Sequence, residues 1–130
     1  MVAAALLALK YARMGWEVPA GGFLVFAIGE GVLLSGTAAG PTGSVPAFAA
    51  GTALWAAGLA LVSAPRLFPG WLRLLGGIAA ALFVVTALRI YGGAPLLPTA
   101  APLPFFAYPF LVATLFGWAW VTARGAGPSR

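Results

Sequence analysis

Residues 20–37 read AGGFLVFAIGEGVLLSGT, a run of apolar and small residues interrupted by one charge, Glu30. A helix rises 1.5 Å per residue, so about 20 mostly apolar residues cross the roughly 30 Å hydrocarbon core of a bilayer. This stretch, segment A, therefore reads as a membrane-spanning helix. Three more segments of the same kind follow: B from Pro46 to Ala64, C from Trp71 to Tyr91 and D from Phe105 to Ala123. The fold class expected is all-α, a polytopic transmembrane bundle forming a single membrane domain over residues 1–130.

Turn chemistry separates the segments. Gly40-Pro41-Thr42-Gly43-Ser44 parts A from B, and Pro65 to Gly70 parts B from C. The longer stretch from Gly92 to Pro104 parts C from D and carries Pro95, Pro98, Pro102 and Pro104. Proline fixes φ and removes a backbone donor, so helices stop at such places. Pro46 suits a first helical turn, and Pro109 should either kink D or mark its first turn.

Composition agrees with the reading. Of 130 residues, 62% are hydrophobic and 7% charged, against roughly 25% charged in ordinary soluble domains. A soluble chain of this size would leave large apolar patches in water, whereas lipid covers them at no such cost. The chain has no Cys and no His, and its only acids are Glu17 and Glu30. Those absences remove thiol chemistry, His-ligated haem or zinc, a His general base and a protein-built metal site. No cofactor is expected, and enzyme chemistry loses its usual groups.

The net charge of +5 arises from Lys10, Arg13, Arg66, Arg73, Arg89, Arg124 and Arg130 against the two acids. These cations are scattered between apolar spans, which argues for topology signals rather than a nucleic-acid surface. The flank before A, the B–C loop and the C-terminus are basic, while the A–B loop is uncharged and the C–D loop has only Arg89 at its edge. The positive-inside rule then puts the basic flanks and the C-terminus in the cytoplasm. Trp71, Trp118 and Trp120 fit an interfacial aromatic belt. Usage rich in Ala, Gly, Pro and Arg is that of high-GC bacteria, so the expected location is a bacterial inner membrane.

The first 18 residues are shorter than a span. MVAAALLAL precedes Lys10, Arg13 and Glu17, which share a helical face, and the basic residues follow the apolar run, unlike a secretory signal. The segment reads as a helix lying in the interface with Leu6, Leu7 and Met14 toward lipid. A short fifth crossing is the alternative.

Glu30 is the sharpest single feature. An intramembrane carboxylate is costly and faces protein or water rather than lipid. It suits a proton or cation site, or simply a buried carboxylate that is paired or protonated. Arg89, near the outer end of C, is its natural partner, since Glu30 lies about 10 Å below that surface and arginine reaches several ångströms. Close-packing stripes are read at Ala27-Gly31-Ser35, Thr52-Ala56-Ala60, Gly76-Ala80, Gly77-Ala81 and Ala113-Gly117. The apolar, uncharged C–D stretch, with Pro95, Pro98, Pro102, Pro104, Phe105, Phe106 and Tyr108, reads as a docking surface for a partner, or as a loop lying on the lipid interface.

Four helices and one carboxylate in the first of them resemble the small multidrug-resistance transporters, with Glu30 in GGFLVFAIGEGVLLSG as the matching residue. That family also carries a Tyr/Trp/Gly-rich third span, where this chain has LLGGIAAALFVVTALRI, and its dual topology wants little charge bias. The resemblance stops at Glu30, and the chain is not assigned to the family. The function expected is a non-catalytic accessory subunit packed in a larger membrane complex or a homo-oligomer. The alternative is a small proton-coupled exporter using Glu30.

Overall fold

The computed structural model describes residues 1–94 and 96–125, which are helical throughout apart from turns and the proline-rich connection. Pro95, a candidate docking residue, and Arg130 lie outside the described residues. In chain order the helices are α1 (Val2–Arg13), α2 (Glu17–Gly36), α3 (Gly40–Gly43), α4 (Val45–Ser63), α5 (Gly70–Tyr91) and α6 (Ala107–Ala123). Three stretches, Glu17–Gly43, Val45–Ser63 and Gly70–Tyr91, are long and apolar enough to cross a membrane, and α6 is a shorter apolar helix. The helices begin where proline permits. Pro46 stands in the first turn of α4, and Pro109 in the first turn of α6 rather than at a kink within it.

Helices α2 and α4 run antiparallel along a glycine seam. A Cβ on Gly22 would fall 3.0 Å from the carbonyl oxygen of Gly58, and one on Gly58 would fall 2.8 Å from that of Gly22. The same reciprocal approach recurs at Gly29 and Gly51, each 3.1 Å from the other's carbonyl, and Gly36 closes on Ala47. These glycines recur every seven residues, so one stripe on each helix faces the other along its length. The stripe inferred along segment A, Ala27-Gly31-Ser35, is therefore not the seam; Ser35 is exposed and its hydroxyl donates to Val32 O at 2.7 Å.

Helix α5 packs on α4 around Gly76, which meets Ser63, and the C-terminal half of α6 packs on the start of α5 where Gly117 meets Leu72. Helix α6 then returns toward α2 through rings rather than glycines. Trp118 stands edge-on to Phe23 at 4.9 Å and to Phe26 at 6.1 Å between ring centres. The fully buried Phe23, Phe26, Leu59, Leu72 and Phe83 mark the middle of the core.

Helix α1, the segment read as an interfacial helix or a short fifth crossing, packs on the bundle. It turns back at Gly15, whose φ of 78° is a left-handed value that favours glycine, and lies antiparallel against α2. Its inner face, Ala4, Ala8 and Tyr11, is buried in the bundle. Tyr11 stacks on Phe23 at 5.6 Å, and its hydroxyl is 3.2 Å from that of Thr122 on α6. Leu6 and Met14 are exposed, but Leu7 packs against the core. The cause is side-chain size: two alanines let the helix approach, and one tyrosine fixes its register. The two helices run side by side for about 18 Å.

These contacts gather the cations. Tyr11 meets Phe68 of the α4–α5 turn edge-on, and Phe68 meets Trp118. The end of α1, the α4–α5 turn and the end of α6 thus share one end of the bundle, with Lys10, Arg13, Arg66, Arg73 and Arg124 upon it. Arg73 donates to the carbonyls of Ser63 and Ala64 at 2.8 Å each, satisfying the C-terminus of α4 with a charge of the favourable sign. Arg124 lies 3.8 Å over the Trp120 ring. Away from that end Arg89 is the single cationic side chain among the described residues.

Candidate functional site

Phe23, Phe26 and Glu30 occupy one face of α2, at spacings of three and four residues. That face looks toward α1 and α6. Between the three helices is a cavity of about 210 Å³ lined by Phe23, Phe26, Leu115, Trp118, Leu7 and Glu30, among others. Glu30 is 23% exposed and forms an ion pair through Oε2 with the amino group of Met1. That oxygen is buried and receives no side-chain hydrogen bond from the bundle.

The expected partner of Glu30 was Arg89, and the structure differs here. Arg89 is exposed near the end of α5, and among the described residues no ion pair joins it to Glu30. The reason is the order of helices: α4 packs between α2 and α5, while Glu30 faces α1 and α6 on another side of α2. What sequence reasoning missed is the aromatic wall. Phe26 also stacks on Trp55 at 5.6 Å, and Trp55 meets Phe83 edge-on, so one layer of rings crosses the bundle. The spacing of Phe23, Phe26 and Glu30 was visible in the chain; the arrival of Trp118 from residues nearly a hundred positions later was not.

The proline-rich connection splits into buried and exposed parts. Pro104 is fully buried, and the Tyr108 hydroxyl donates to the carbonyl of Pro98 at 2.8 Å while its ring meets Phe83 edge-on. Pro104, Tyr108 and the half-buried Pro98 therefore pack within the fold, which leaves Pro102, Phe105 and Phe106 as the exposed part of the stretch read as a docking surface or an interfacial loop. Pro102 is exposed, and so are Phe105 and Phe106, at 53% and 56%, set edge to face on one another. Two aromatic rings on a turn tied down at both sides form a small rigid apolar tip.

Fold and site together define a small helical bundle with helices of membrane-crossing length and one lateral carboxylate cavity. Set against known proteins, the chain matches no protein-family model, no curated protein and no solved structure.

Proposed function

We propose that this chain is a four-span membrane protein of a bacterial inner membrane, serving as a non-catalytic subunit packed against other membrane proteins or copies of itself. One observation carries the choice over a transporter. The three fully buried threonines of the bundle, Thr52, Thr86 and Thr114, turn their hydroxyls onto their own helices, donating to the carbonyls of Phe48, Leu82 and Phe110 at 2.9, 2.9 and 2.7 Å. A translocation route needs a succession of polar groups free to meet a solute; these hydroxyls are committed, and among the described residues only Glu30 Oε2, Trp55 Nε1 and Ser63 Oγ are buried side-chain polar atoms without a hydrogen bond, too few for a continuous polar route.

In this reading α6 is the fourth span. Its length of 17 residues corresponds to about 25 Å, and Phe105 and Phe106 extend the apolar stretch toward the interface. The five cations gathered at one end support, by the positive-inside rule, a cytoplasmic orientation of that end. The Phe105–Phe106 tip at the opposite end is the surface offered to a partner. Without His or Cys, the chain supplies few groups for catalysis.

The test is the size of the native particle. Membranes are solubilised in a mild detergent and the species carrying this chain is sized. Co-migration with a larger assembly is the expected result, and the co-purifying chains then identify the partner. Migration as a bare monomer overturns the reading and transfers the weight to proton-coupled transport at Glu30.

A further inference from the structure

We infer that the Glu30 cavity binds a primary alkylamine, with the ammonium group on the carboxylate and the alkyl chain between α1 and α6. This goes beyond a packing role and stands or falls separately from it. The cavity joins three features that select such a ligand. Its one charged side chain is a carboxylate whose buried oxygen receives no side-chain hydrogen bond from the bundle. Its walls include the rings of Phe23, Phe26 and Trp118, and aromatic surfaces attract cations while accepting hydrocarbon. Its remaining lining is aliphatic, as at Leu7 and Leu115.

The hydroxyls nearest along α2 do not alter the selection. Ser35 donates to Val32 O and Thr37 to Leu34 O, both at 2.7 Å. A neutral or anionic ligand therefore finds no hydroxyl or cationic side chain in the cavity wall, whereas an ammonium finds the carboxylate. In this structure the amino group of Met1 is paired with Glu30, so an incoming amine competes with it for the carboxylate. The volume of about 210 Å³ is below that of pockets for drug-sized ligands, roughly 300 Å³ and above, and so favours a single slender chain over a bulky quaternary ion.

The experiment measures n-octylamine binding to the full chain purified in a nonionic detergent, read by calorimetry and by the summed tryptophan fluorescence, with n-octanol as the uncharged control. Octylamine should bind more tightly than octanol, and Glu30→Gln should weaken the amine on the order of tenfold while leaving the alcohol unchanged. Leu115→Trp, at a half-exposed position that tolerates a larger side chain, should block the amine by filling the cavity with Glu30 still present, so a poorly folding Glu30→Gln does not remove the test. Equal binding of amine and alcohol, or amine binding untouched in both variants, overturns the proposal. Adding phosphatidylethanolamine to the micelles separates the sources: competition with octylamine assigns the site to a lipid headgroup, and its absence to a free amine.

Discussion

Two sides of helix α2 are built on opposite rules. Toward α4 it presents Gly22, Gly29 and Gly36, and backbone meets backbone with no room for one added carbon. Toward α1 and α6 it presents Phe23, Phe26 and Glu30, and rings meet rings at centre distances of 4.9 to 6.1 Å. Close approach of bare backbone gains dispersion contact over the whole helix length and leaves nothing to adjust. Large rings hold the helices apart and meet at their edges, which is why the cavity lies on that side and not at the seam. A membrane bundle gains little from hydrophobic transfer between helices. The difference therefore shows which contacts fix the fold and which leave space for a ligand.

Substitutions break or sharpen the contrast. The largest effect is expected at Gly58→Leu, because a Cβ there already falls 2.8 Å from Gly22 O and 2.9 Å from the Cβ of Phe26. The variant should not yield folded, monodisperse protein, while Gly77→Ala, which faces open space, stays within about 0.5 kcal/mol of the parent. Size-exclusion profiles and thermal unfolding in detergent distinguish the two, and tolerance of leucine at Gly58 would show the seam to be soft. Next comes Trp118→Ala, which removes the ring that joins α6 to α2. A loss of about 3 kcal/mol with the fold retained is expected, read as a lowered unfolding midpoint; loss of all helical structure would mean that the aromatic side fixes the fold as much as the seam does. The smallest is Tyr11→Phe. It keeps the stack on Phe23 and deletes the hydroxyl beside Thr122, for a cost of about 1 kcal/mol. A neutral result in the same unfolding assay would assign the seating of α1 to the ring alone.

Much of this was legible in the chain and some was not, for identifiable reasons. The long helices show in the sequence because apolar windows near 20 residues end at Gly-Pro and Pro-Gly punctuation. Glu30 is conspicuous because an acid is expensive in such a window. The seam escaped because small residues four apart occur on several faces of each helix, whereas the relevant glycines are seven apart, and only pairing α2 with α4 picks out that stripe. Arg89 was a reasonable partner for Glu30 by depth along the bundle. Depth says nothing of azimuth, and azimuth is set by which helix packs on which side. The proline-rich connection looked uniform in composition, yet Pro104 is buried and Phe105 exposed one residue later, a distinction made by the Tyr108–Pro98 hydrogen bond and the packing of Ala107.

The hydroxyl pair of Tyr11 and Thr122 spans 111 positions of the chain. The α2–α4 seam joins neighbours in sequence through a short connection and needs only a local chain reversal, so both its helices are present before α5 and α6 are made. Tyr11 must wait until nearly the last helical residue has emerged. During that interval the ring face of α2, Glu30 included, stands open along one flank. The Glu30 cavity is therefore the part of the ring face that gains its wall last, since Leu115 and Trp118 arrive with α6.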